Sequence, residues 1–217
     1  MSIRLPRVVQ QTDSHCGPAV LQLLYAHRKK NFTQDEIVAA ARIGKLIKSR
    51  GSRPKQLAKA VQKLTPNLQF WFKQGATSED LHTLIKKYKL PVAINWQGLF
   101  YNTPEEERRS SGDRGHYSVV INIDPRKDSI RIADPYPDFA RKPRTFSLEW
   151  FEKRWWDSAR DKNPKSGRIE SIETKHFIYI LTPKSVTFPA KLGMQLPHKL
   201  SVLETWSFAG FFSRWKR

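Results

Sequence analysis

The feature that most constrains this chain is a single change in the period of its apolar residues. Up to about residue 90 they mostly recur at helical spacing, and from residue 91 they gather in short β-branched and aromatic runs. Ala19, Val20, Leu23 and Leu24 after Gly17-Pro18 predict a helix over 18–29, with the proline suited to a first turn. Thr33 with Glu36 forms a capping-box pattern ahead of Ile37, Val38 and Ala41, and predicts a second helix. Leu57, Ala60, Val61 and Leu64 place a third over 54–64, with a basic turn region before it. A short strand over 68–72 and a helix capped by Ser78, carrying Leu81, Leu84 and Ile85, complete the first part. The runs 91–96, 116–121, 129–133 and 176–181 read as strands, with Asp124-Pro125-Arg126-Lys127-Asp128 as a hairpin turn. One more helix is expected over 147–155, burying Leu148, Phe151 and Trp155. Helices first and strands after them define an α+β fold, an N-terminal helical lobe packed on an antiparallel β-sheet.

Composition narrows the function. The 217 residues are 39% hydrophobic, enough for one core, and carry a formal net charge of +19. Residues 1–100 hold 17 basic and 5 acidic side chains, so the excess is greatest there. A surface of this kind attracts polyanions, whether acidic protein segments, anionic lipid or nucleic acid. No zinc-finger spacing, phosphate loop or aromatic RNA-binding motif sharpens the nucleic-acid reading. The single cysteine excludes a disulfide framework and a Cys-rich zinc site. The absence of a secretory pattern and of a long apolar stretch makes a cytoplasmic location the expectation. Peripheral contact with a membrane would come through Trp206, Phe208, Phe211, Phe212 and Trp215, which end in a basic cluster. We expect a domain over 1–183 and an aromatic, basic appendage over 184–217, with 98–115 as a charged surface loop.

Cys16 stands just before Gly17-Pro18, where the unpaired amides of a helix N-terminus favour a thiolate and prepare a nucleophile. His116 opens one predicted strand and Asp134 ends the next, so an antiparallel hairpin brings them together, with the carboxylate fixing the ring's tautomer. Gln10 or Gln11, just upstream of the cysteine, offers an N–H to a developing oxyanion. No convergent metal ligands stand out, and this chemistry calls for no cofactor.

Three blocks carry a resemblance: Gln10-Gln11-Thr12-Asp13-Ser14-His15-Cys16-Gly17-Pro18-Ala19, then Gly115-His116-Tyr117-Ser118-Val119-Val120, then Ala133-Asp134-Pro135. In order and spacing over residues 8–182 they resemble the papain-like cysteine peptidases that trim double-glycine bacteriocin leaders, and their stand-alone relatives. The resemblance implies a papain-like fold and peptide or protein substrates. It also implies Cys16 as nucleophile, His116 as general base, Asp134 as its orienting partner and Gln10, six positions before the cysteine, as oxyanion donor, with Gln11 the adjacent alternative. Two other functions suit the same residues: an acyltransferase that passes the acyl group to an amine or thiol, and a basic protein binding polyanions or membranes on this fold.

Overall fold

The computed structural model describes residues 2–98, 115–162 and 168–199. The expected loop over 98–115 and the aromatic tail beyond residue 199 therefore lie almost wholly outside the described residues.

The first helix, α1 (Cys16–His27), is buried along most of its length and packs on the sheet beside α2 (Gln34–Ala41) and α4 (Pro54–Leu64). It starts two residues earlier than the sequence suggests. Pro18 fits within its first turn because the first four N–H groups of a helix have no intrahelical acceptor, so the missing donor costs nothing. Gly17 lets this end approach the chain ahead of α4, since a Cβ there would lie 2.0 Å from Ser52 Oγ. The capping box of α2 forms as expected, Thr33 Oγ1 accepting from the Glu36 N–H at 3.2 Å and the Glu36 carboxylate from the Thr33 N–H at 2.7 Å. The basic turn region contains a four-residue helix, α3 (Ile47–Arg50). In α5 (Ser78–His82) the cap is Thr77 rather than Ser78, because Thr77 and Asp80 satisfy each other's backbone N–H groups.

Six strands form the main antiparallel sheet in the order β1-β8-β2-β3-β4-β5: β1 (Leu68–Lys73), β2 (Val92–Gln97), β3 (Gly115–Asp124), β4 (Ser129–Ala133), β5 (Arg144–Phe146) and β8 (Phe177–Pro183). Its central strands are buried on both faces, which explains why they read as unbroken apolar runs rather than as alternations. In β8, Phe177, Tyr179 and Leu181 join the core under α1, α2 and α4, whereas Ile178 and Ile180 join a second core with Leu81, Trp96, Phe151 and Trp155. α6 (Leu148–Arg154) covers that second face, and Leu148, Phe151 and Trp155 are buried as expected. Asp128 links it to the β3–β4 hairpin by accepting from the Leu148 and Glu149 N–H groups at 3.0 and 3.1 Å.

A second sheet pairs β6 (Trp156–Lys162) with β7 (Ile169–Lys175). Beyond β8 the chain returns to the main sheet, where Phe72 and Gln195 exchange backbone hydrogen bonds and Phe188 meets the rings of Trp71 and Tyr88. Among the described residues no helix is long and apolar enough to cross a membrane.

Candidate active site

Cys16 is the first residue of α1 and is 8% exposed. Its approach is fixed by a tight turn in which the His15 N–H donates to Thr12 O at 3.0 Å and the His15 ring meets Thr12 Oγ1 at 2.5 Å. That bond engages the nearest histidine in sequence with Thr12. Burial lowers the His15 pKa, against a smaller opposing effect of Asp35, so the ring favours its neutral form.

The histidine that reaches the cysteine is His116, at the start of β3 and buried. Its Nε2 lies 2.8 Å from Asp134 Oδ1, and Cys16 is near enough to the ring to contribute to raising its pKa. The hairpin accounts for this meeting: Val119 pairs with Ala133, so the end of β4 runs toward the start of β3. Gly98 closes the space beside the ring, since a Cβ there would fall 2.6 Å from His116 Cβ.

Asp134 carries more partners than the sequence reveals. Oδ1 also accepts from the Tyr136 N–H at 2.9 Å, and Oδ2 receives Arg144 at 2.5 Å. The Arg144 guanidinium lies 3.6 Å from the ring centroid of Phe139 and 5.0 Å from that of Phe146, which confines it to a plane facing the carboxylate. Burial opposes ionisation of Asp134, but the charges and hydrogen bonds of His116 and Arg144, with the Tyr136 amide, outweigh it and lower its pKa. For His116, burial favours the neutral ring, and the charge and hydrogen bond of Asp134, joined by those of Cys16, raise its pKa nevertheless. The two groups therefore favour an imidazolium beside a carboxylate. Tyr117 and Tyr179, both close enough to feel Cys16, have their phenols pushed well up, chiefly by burial, and stay neutral.

The structure separates the two candidate glutamines. Gln10 is 4% exposed and its backbone N–H donates to Pro135 O at 2.8 Å, which ties it to the residue following Asp134. Its Nε2 donates to Thr12 O at 2.9 Å, leaving a second amide hydrogen. The Gln11 side chain is exposed. A residue that sequence reasoning overlooked holds this segment in place: buried Gln34 donates to Val9 O at 2.8 Å and accepts from the Gln11 N–H at 3.0 Å. Among the described residues no group of three or more His, Cys, Asp or Glu side chains converges as a metal site.

The fold matches solved peptidase domains. The peptidase domain of Streptococcus ComA, a bifunctional ABC transporter involved in a quorum sensing pathway, aligns with 84% of this chain and 99% of its own, at 20% identity and a TM-score of 0.53. A double glycine motif protease from an AMS/PCAT transporter, solved with its leader peptide, aligns with 84% of this chain and 94% of its own, at 16% identity and a TM-score of 0.52. The α+β architecture is thus that of the papain-like C39 peptidase domains. The chain belongs to the peptidase C39-like family, whose family model matches residues 2–162. None of the curated proteins compared with the chain matches it.

Proposed function

We propose that this protein is a cysteine peptidase that cleaves peptide bonds through an acyl-thioester. The observation that supports this reading is the buried His116 ring, held by Asp134 at 2.8 Å and near enough to Cys16, at the N-terminus of α1, for that residue to help raise its pKa. In the cycle, His116 Nδ1 takes the Cys16 proton and the sulfur attacks the carbonyl carbon. Gln10 Nε2 and the Cys16 backbone N–H donate to the oxyanion. The C–N bond then breaks as the imidazolium gives its proton to the leaving amine. Water, losing a proton to His116, attacks the thioester, and the acid departs while the proton returns to sulfur. Asp134 stays ionised throughout and keeps the ring oriented.

Membership of the peptidase C39-like family favours peptide or protein substrates. The test is hydrolysis of fluorogenic peptides by wild type, Cys16→Ala and His116→Ala, with iodoacetamide labelling and analysis of the acyl products. The expected result is loss of turnover in both variants, loss of labelling in Cys16→Ala and release of the free acid. Undiminished turnover in either variant sinks the proposal, and exclusive transfer of the acyl group to an added amine makes the protein a transferase.

A further inference from the structure

Between Glu36 and Glu79 the sequence holds nine basic residues and no acidic one. Four of the nine, Arg42, Lys45, Lys48 and Arg50, fall in the turn and short helix that join α2 to α4, and all four are exposed. The backbone there is well bonded. Ile43 and Ile47 are buried in the core under α1, α2 and α4, and the Leu46 and Ile47 N–H groups both donate to Ile43 O at 2.8 Å. With the two isoleucines pinned inside, the turn presents its remaining side chains outward.

Leu46 is among those side chains. It is 42% exposed and, with Val9, one of two large hydrophobic residues exposed among the described residues. Apolar surface held in water by a fixed turn contributes nothing to folding, so its place among cations calls for an occupant. Arg42 is a second costly choice: it caps α2 in the left-handed conformation, at φ 60°, where glycine is the ordinary residue. The cation stays on this face against its backbone preference.

Nucleic acid would offer phosphates to these cations, but its bases stack on aromatic rings, and residues 42–50 contain none. An anionic bilayer meets both features together, since headgroups face the cations and the acyl boundary takes the leucine. We infer that the turn between α2 and α4 is a docking surface for an anionic lipid bilayer, with Leu46 inserted and Arg42, Lys45, Lys48 and Arg50 on the headgroups. The Ser14 hydroxyl donates to Lys48 O at 3.3 Å, so the docked bilayer lies beside the turn that leads into Cys16. This surface is separate from the aromatic tail and does not depend on the peptidase reading.

The test is sedimentation of the full-length protein with vesicles of equal parts phosphatidylglycerol and phosphatidylcholine, against phosphatidylcholine alone. Salt-sensitive binding is expected on the anionic vesicles only, weakened roughly thirtyfold in the Lys45→Gln, Lys48→Gln double variant and roughly tenfold in Leu46→Ser. Arg42→Gly is expected to weaken binding severalfold without lowering the melting temperature, because glycine suits the left-handed cap, and misfolding then does not explain the loss. Arg126→Gln with Lys127→Gln, exposed at the β3–β4 turn, removes the same charge as the lysine pair and is expected to leave binding nearly unchanged. Since Cys16 is the single cysteine, Leu46→Cys in a Cys16→Ala background takes one nitrobenzoxadiazole label, whose emission is expected to shift to the blue on anionic vesicles. Absence of wild-type binding, unchanged binding in the lysine pair, equal weakening by the β3–β4 pair, or a label that does not shift overturns the inference. So does tighter binding of oligothymidine through the same residues, or release from vesicles by inorganic phosphate at constant ionic strength, which marks a site for free anions. None of these readouts requires turnover, so failure of the peptidase reading leaves the result unaffected.

Discussion

Arg144 and His116 grip opposite oxygens of one carboxylate: the guanidinium meets Asp134 Oδ2 at 2.5 Å while the imidazole meets Oδ1 at 2.8 Å. A buried aspartate with one cationic partner has two ways to settle its charge, by keeping it or by taking the partner's proton. A second, permanently charged partner removes that choice, because a guanidinium does not give up its proton in proteins. Arg144 thus keeps the shared proton on His116.

The first prediction follows from this division of labour. Arg144→Gln keeps a donor near Oδ2 but removes its charge, so the Asp134 carboxyl becomes easier to protonate. The acid limb of the pH–rate profile is expected to move to higher pH, with peptide hydrolysis at neutral pH falling about tenfold. Arg144→Lys is expected to restore the acid limb in part, since it returns the charge without the planar stacking. An unmoved acid limb in Arg144→Gln would make the arginine a packing residue only.

The same pair sets a pH dependence of stability. The folded-state pKa of His116 is raised above the ordinary 6.5, so its contribution is complete below 6.5 and is lost as pH climbs through the folded value. That of Asp134 is lowered below 3.8, so its contribution is complete above 3.8 and is lost as pH falls through the folded value. Both act fully between 3.8 and 6.5. The gap in unfolding free energy between wild type and Asp134→Asn, expected to be on the order of 3 kcal/mol, is therefore widest there and narrows on either side. Thermal or urea unfolding across that range checks it, and a gap that is flat with pH contradicts the assignment.

Gly98 provides a steric test of the ring's placement. A methyl group there would sit 2.6 Å from His116 Cβ, a backbone-anchored atom that cannot swing aside as a side-chain tip can. Gly98→Ala is expected to shift the imidazole and lower kcat by roughly a hundredfold, the order of effect of a misplacement near 1 Å. The far-UV circular dichroism is expected to stay near that of wild type. Full activity in Gly98→Ala would show that the ring has room to spare.

How much of this is legible in the sequence depends on how local the signal is. The helical lobe was readable because caps and apolar stripes lie within one element, as with Thr33 and Glu36 or Leu57 and Val61. His116 and Asp134 could be paired because a single hairpin joins them. Arg144 could not, as one basic residue among 39 whose only hint is its position between Phe139 and Phe146. β5 has three residues, too few to display a period, and the β6 and β7 sequences are too polar to stand out as strands. The stretch after β8 read as an appendage because its contacts, such as Phe188 with Trp71 and Gln195 with Phe72, are long-range and carry no pattern.

Gln34 poses the last test, because its effect on Gln10 is indirect. Sequence logic assigns the start of α2 to Thr33 and Glu36 and gives Gln34 no duty, yet its amide holds Val9 O and the Gln11 N–H, the two backbone groups that bracket Gln10. Gln34→Leu is close in volume and removes both bonds, at a cost of about 1–3 kcal/mol for the two together. If Gln10 serves the oxyanion, the loosened segment lowers kcat about tenfold with little change in KM, since the lost contact belongs to the transition state. Gln34→Glu separates support from mere bulk: its carboxylate can accept from the Gln11 N–H but cannot donate to Val9 O, so its kcat is expected to lie between those of wild type and Gln34→Leu. A variant that loses stability but keeps kcat would show that Gln34 supports the fold without aiming Gln10.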